Sequence, residues 1–175
     1  IMVKIMPLGY DSNRVGKTNT YPNSLTESEK VRKAMQTPDW EYFKLTDDKP
    51  TRAFNEYLEM NRLPNEDQAM NRIVVETYPL IIAIKKYHNR PRPHQVNPNI
   101  DEVYSSTAQT PSYPAGHTLQ SLLIADMLGN KYPERRRDFE KIADRIAEAR
   151  VSVGLHYPSD NEYSRRLAQE FSNIQ

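Results

Sequence analysis

The chain is 175 residues long with a formal net charge of +1. That length suits one domain, and that charge gives no global reason to expect nucleic acid as a partner. There is no cysteine, which excludes disulfides, zinc–thiolate sites and a cysteine nucleophile.

Residues 1–23 carry Pro7, Gly9, Gly16 and Pro22 with little periodicity and read as an extended arm over the surface. The apolar run at their start is too short for a secretory signal. A cytoplasmic protein is therefore expected, with a signal already removed left open. Ser24-Leu25-Thr26-Glu27 has the form of a capping box. It predicts a helix to about Met35 with Val31, Ala34 and Met35 inward, which Pro38 ends or restarts. A second helix is predicted over Thr51–Met60, with Phe54, Tyr57 and Leu58 on one face. Asn65 suits the N-cap of a long helix to about Lys86, in which Ile73, Val74, Tyr78, Ile81, Ile82 and Lys85 keep helical register. Pro79 should kink it. Its stretch Ile73–Ile84, interrupted by Glu76 and Pro79, is the most apolar of the chain and falls short of the ~20 residues a membrane span needs.

Asn89-Arg90-Pro91-Arg92-Pro93 must end that helix, and residues 91–114, rich in Pro, Asn, Ser and Thr, read as a long loop of the kind that carries function. Helices follow over about His117–Lys131, with Leu119, Leu122, Leu123 and Met127 inward, and about Pro133–Ala149, with Phe139, Ile142, Ile146 and Ala149 in register. Arg135-Arg136-Arg137 reads as a solvated helix start. Ser159-Asp160-Asn161-Glu162 offers a second capping box before a last helix carrying Tyr163, Leu167 and Phe171. No repeat and little strand-like alternation is present. The expectation is an all-α, compact helical bundle forming one domain over 1–175.

Three motifs carry chemistry: Lys85-x6-Arg92-Pro93, Pro114-Ala115-Gly116-His117 and Arg150-x5-His156-x3-Asp160. Taken singly, each has a plain reading: a helix stop with solvated charges, a loop-to-helix turn, and charges that suit helix ends. Together they supply what a protein needs to hold a phosphate-like oxyanion and attack it with an imidazole. Lys85 is a point charge and Arg92 a planar fork for two oxygens. Gly116 lets the backbone of a helix N-terminus approach an anion, with His117 in the first turn facing the site. Asp160 accepts a hydrogen bond from one nitrogen of His156 and leaves the other free to attack. His88 and His94 read as surface or supporting residues. The histidine spacing matches no common zinc pattern, and no glycine-rich nucleotide loop or Gly-x-Ser-x-Gly elbow is present.

In order and spacing the three motifs resemble the type 2 phosphatidic acid phosphatase superfamily, which includes soluble class A nonspecific acid phosphatases and vanadium-dependent haloperoxidases. The resemblance spans Lys85 to Asp160. It implies a helical bundle in which Lys85, Arg92, Arg150 and the Gly116 N–H clamp the phosphate. His156 would form a phosphohistidine, Asp160 would orient it, and His117 would protonate the leaving oxygen and then assist water. It also implies a phosphomonoesterase that needs no metal or other cofactor, with a small phosphorylated substrate or inorganic phosphate as its partner. Two positions depart from the family pattern: Ala115 stands where serine is usual, and Ala149 where serine precedes the arginine. Thr118 or Ser112 are the residues placed to compensate for the first. The alternatives are a vanadate-dependent haloperoxidase, in which the same cations hold vanadate, and a non-catalytic oxyanion-binding or structural protein on the same fold. Substrate identity and homo-oligomer formation stay open.

Overall fold

A computed structural model describes residues 21–174; the expected arm over 1–23 lies almost wholly outside them. The described residues are helical, with no strand. In chain order the helices are α1 (Ser24–Ala34), α2 (Trp40–Thr46), α3 (Thr51–Met60), α4 (Asp67–His88), α5 (Pro93–Val96), α6 (Gly116–Lys131), α7 (Arg136–Ser152) and α8 (Pro158–Ile174). Short 3-10 turns lie at Ser106–Ala108 and Pro133–Arg135.

The central helix is α6, which packs against α4, α7 and α8. Buried residues lie on every side of it, from His117 through Leu119 and Ile124 to Gly129, as expected of a helix surrounded by others. The main core joins Phe54 and Leu58 of α3, Ile73 and Ile84 of α4, Phe139 of α7 and Leu167 of α8 around it. A smaller cluster, Val31, Ile100, Val151 and Tyr157, ties α1 to the loop before α8.

Several local predictions need correction. Neither capping box forms. The N-cap of α1 is Asn23, whose side chain accepts from Thr26 N at 2.9 Å. Glu27 instead reaches across to the start of α8, accepting from Ser159 N at 2.8 Å and Ser159 Oγ at 2.5 Å. A carboxylate there satisfies first-turn donors and favours the helix dipole, on a helix other than its own. Helix α2 was not foreseen; Asp39 caps it, accepting from Tyr42 N at 3.1 Å. Helix α4 starts at Asp67 after the N-cap Glu66, while Asn65 Oδ1 accepts from Asp67 N at 2.7 Å. The helix runs unbroken through Pro79, which sits on an exposed face with Val75. Tyr78, which shares the helical register of Ile73 and Ile81, is 57% exposed. Arg135 and Arg136 are not merely solvated: Arg135 bonds Tyr57 Oη at 3.1 Å and Asn61 Oδ1 at 3.0 Å, and Arg136 bonds Asp126 Oδ1 at 3.3 Å.

The end of α7 matters most for the site. Gly154 takes a φ of +90°, and the amides of Gly154 and Leu155 bond Val151 O (2.9 Å) and Arg150 O (3.0 Å). This Schellman closure turns the chain sharply, so that Arg150 on the last turn of α7 and His156 beyond it face the same space.

Candidate active site

The three motifs, far apart along the chain, converge on one cavity of about 300 Å³. Lys85, Arg92, Gly116, His117, Arg150 and His156 all line it. Val74, Tyr78, Ile81 and Ile82 of α4, all in the helical register read from the sequence, form a mostly apolar wall. A larger hollow of about 520 Å³ among α6, α7 and α8 is lined by Leu122, Asp126, Arg136 and Arg165, among others, and holds none of the motif residues.

Each cation is buried and held from behind. Lys85, in the last turn of α4, donates Nζ–H to Pro111 O at 2.7 Å. Arg92 precedes α5 and donates Nε–H to Thr110 O at 2.8 Å and Nη1–H to Leu155 O at 2.9 Å. Arg150 donates Nη1–H to Asp47 Oδ1 at 2.6 Å, while its buried Nε–H has no partner. A buried donor left without an acceptor is costly and suits a residue awaiting an anion. Burial, and for Lys85 the neighbouring Arg92 and Arg150 charges, push the Lys85 ammonium well below its usual range. Burial and Arg150 bring Arg92 down to about 10. The free site is therefore short of negative charge.

The histidines are fixed by what they touch. His156 Nδ1 lies 2.9 Å from Asp160 Oδ2. Asp160 also accepts from Ser112 Oγ, from Tyr157 N at 2.9 Å and, on Oδ1, from Arg90 Nη1 at 2.9 Å. So many donors mark Asp160 as the ionised acceptor at neutral pH, although burial pushes its pKa up to about 6. The proton then sits on His156 Nδ1, leaving the Nε2 lone pair toward the cavity, where Arg92 Nη1 is 3.0 Å away. Burial, Arg92 and Lys85 hold His156 well below the usual imidazole range, so it is neutral. His117, in the first turn of α6, lies with Nε2 2.7 Å from the Asp47 carbonyl. A carbonyl only accepts, so Nε2 carries the proton. Burial and the Arg150 charge push His117 down to about 3.

Gly116 opens α6. The N-cap is Ala115, and no side chain caps the helix, so its first-turn N–H groups remain as anion donors. Neither suggested substitute for the absent serine faces the cavity. Thr118 Oγ1 donates to Asn161 Oδ1 at 2.6 Å, and Ser112 to Asp160. The serine and threonine residues that do line it are Ser106, Thr107 and Thr110. His88 packs on Tyr113 and Tyr163, with ring centroids at 5.0 Å and 5.5 Å, and His94 lies 3.7 Å from Glu102; neither lines the cavity.

The family model of the PAP2 superfamily matches residues 72–168. The chain belongs to the PAP2 superfamily. Curated relatives agree. The non-specific acid phosphatase of Salmonella typhi is 33% identical over 99 residues, covering 53% of this chain and 39% of that protein. That of Salmonella typhimurium (strain LT2) is 31% identical over 111 residues, covering 60% and 44%. The matched stretch is thus less than half the length of either relative.

The PAP2 motifs leave out residues that complete the site. Asp47, just after α2, holds both Arg150 and His117 and lies outside the matched region. Burial pushes its carboxyl up, but hydrogen bonds from Ser105 and Arg150 outweigh this and keep it below the usual range. Arg90 and Ser112 hold Asp160 from behind. The one sequence signal for Arg90 was its place in Arg-Pro-Arg-Pro; Asp47 carried none. Among the described residues no cluster of three His, Asp or Glu side chains suits a metal ion, and no helix is long and apolar enough to cross a membrane.

Proposed function

We propose that this chain is a single-domain phosphomonoesterase that works through a phosphohistidine at His156. The observation that carries the reading is the cavity itself: three buried cations, an uncapped helix N-terminus and two neutral imidazoles around a space that fits a phosphate group. Membership of a superfamily whose curated relatives include non-specific acid phosphatases supports it.

Lys85, Arg92, Arg150 and the Gly116 N–H bind the non-bridging oxygens and offset the charge that builds on them. Arg92 turns its N–H from His156 Nε2 to the phosphate, uncovering the lone pair. That nitrogen attacks phosphorus, the P–N bond forms and the P–O ester bond breaks. The imidazolium charge is stabilised by Asp160. The bound phosphate places negative charge beside His117 and raises its depressed pKa, so that it protonates the leaving oxygen. Water, deprotonated by the same His117, then cleaves the P–N bond. No step requires a metal, because the three cations supply the electrostatic stabilisation. Release of inorganic phosphate from an aryl phosphate tests the reading: wild type is expected to turn over and His156→Ala not. Equal inertness of both from acid to neutral pH contradicts it, and phosphate binding without turnover would favour a non-catalytic oxyanion binder.

A further inference from the structure

Arg90 does not line the phosphate cavity, yet its guanidinium is fully buried and every nitrogen is engaged. Nε–H donates to Ser24 Oγ at 3.2 Å. Nη1–H serves Asp160 Oδ1 at 2.9 Å and Ser159 Oγ at 2.7 Å; Nη2–H serves Glu27 Oε1 at 2.7 Å and Pro22 O at 3.4 Å. Its plane covers the Tyr157 ring, 3.6 Å from the centroid. Burying a guanidinium is costly, and an apolar side chain fills such a space without that cost. Two buried carboxylates are committed to it. One of them, Asp160, turns its other oxygen to His156; the other, Glu27, comes from α1, outside the matched stretch 72–168.

We propose that Arg90, anchored by Glu27, is a positioning residue for the His156–Asp160 pair. It fixes which Asp160 oxygen meets Nδ1 and keeps that carboxylate ionised in a buried place. The inference rests on the phosphatase reading of His156. The charged and titratable groups around Asp160 are Arg90 from the α4–α5 connection, Lys85 from α4, Arg92 before α5, Tyr113 before α6, and His156 and Tyr157 before α8, with Glu27 of α1 across Arg90. Of these, burial raises the Asp160 carboxyl and Arg90 is the foremost influence pulling it back.

The test compares Arg90→Met, Arg90→Lys and Glu27→Gln with wild type, with circular dichroism confirming the fold. Arg90→Met is expected to lower kcat by about 10–100-fold, by analogy with the loss when the outer partner that orients a metal-ligating histidine is removed. KM should stay within about two-fold, since the ground-state clamp is untouched. The acid limb of kcat/KM should move up by about one pH unit, because a cation beside Asp160 is gone. Arg90→Lys should restore the limb but only part of kcat. Glu27→Gln should move the limb the opposite way, since Arg90 then shares its charge with one carboxylate fewer. Limbs that stay put, or that move in the same direction in Arg90→Met and Glu27→Gln, would overturn the proposal. If Arg90→Met does not fold, Glu27→Gln decides by its limb, expected below that of wild type, and Arg90→Lys by its kcat, expected to fall while its limb stays in place; an unmoved limb in the first or an unchanged kcat in the second overturns the proposal. A wild type that releases no phosphate sinks the phosphatase reading alone. Nitrogen NMR of His156 in the free protein then decides the positioning role: a single Nδ1–H tautomer in wild type that becomes a mixture in Arg90→Lys or Arg90→Met supports it, and an unchanged tautomer overturns it.

Discussion

A nucleophile that is neutral but already hydrogen-bonded is only half prepared. His156 has its proton fixed on Nδ1 by Asp160, yet its free nitrogen faces Arg92 at 3.0 Å. In the proposed mechanism an arriving oxyanion gives Arg92 a better acceptor than an imidazole, so that binding and unmasking would be one event. That couples the clamp to the chemistry in a way Lys85, bonded to Pro111 O, does not share. Ala115 is the other residue where a single atom matters. It is buried at the N-cap of α6, beside the anion donors it would otherwise have joined. Ala115→Ser restores a hydroxyl there, and a hydrogen bond to a charged group contributes roughly 1.5–3 kcal/mol. Inorganic phosphate should therefore bind about 10–100-fold more tightly by calorimetry; unchanged affinity would show that the hydroxyl points elsewhere. At this scale the sequence was readable because the chemistry dictates residue type. The three motifs mark Lys85, Arg92, Gly116, His117, Arg150 and His156, and one cavity unites them.

At the scale of elements, local patterns told less. Ser24-x-x-Glu27 and Ser159-x-x-Glu162 both have capping-box form, but the pattern assumes partners within one turn. Glu27 finds its partners 63 and 132 residues away, at Arg90 and Ser159. Helix α2 was missed because seven residues with adjacent aromatics, Tyr42 and Phe43, show no helical stripe. With it went Asp47, its C-cap residue and the holder of Arg150 and His117. Periodicity marks α4 but does not tell a core face from a pocket wall: within one register Ile73 joins the core, while Tyr78 and Ile82 line the cavity. The Arg150-x5-His156 spacing depends on one backbone feature, the positive φ of Gly154. A Cβ there meets Met35 Sδ at 3.0 Å and takes a left-handed conformation, which costs about 1–2 kcal/mol for other residues. Gly154→Ala should lower stability by at least that much in urea unfolding, and lower kcat more than the loss of folded protein explains. A variant of wild-type stability would mean the turn relaxes freely.

At the scale of the molecule, the site is a place where the fold stores unpaired charge. Burial and Arg150 push His117 down to about 3 from 6.5, and His156 is also depressed. The unfolded chain therefore binds protons that the folded one refuses, so stability falls as pH drops from about 6.5 toward 3. Asp160, raised by burial to about 6 from 3.8, works the other way between those values. Two imidazoles outweigh one carboxyl, and each uncompensated proton costs roughly 1.4 kcal/mol per pH unit. The melting temperature should fall between about pH 7 and about pH 5 and fall less in sulfate, an oxyanion that does not titrate there. A melting temperature that rises on acidification, or a fall that sulfate leaves unchanged, would contradict this picture of the site.

The same molecular view shows why the matched stretch is not the whole site. Helices α1 and α2 pack on α7, and α1 also on α8, bringing Asp47 to Arg150 and Glu27 to Arg90, which in turn holds Asp160. On the proposed reading, what these supports serve is the attack of His156 on phosphorus. The most direct measurement is to quench turnover of a phosphate ester in base, where phosphohistidine survives, and map the phosphorylated peptide by mass spectrometry. The account predicts phosphate on His156 in wild type, accumulating further in His117→Ala, where hydrolysis of the intermediate slows. Steady release of phosphate with no label at His156, or with label on another residue, would contradict it.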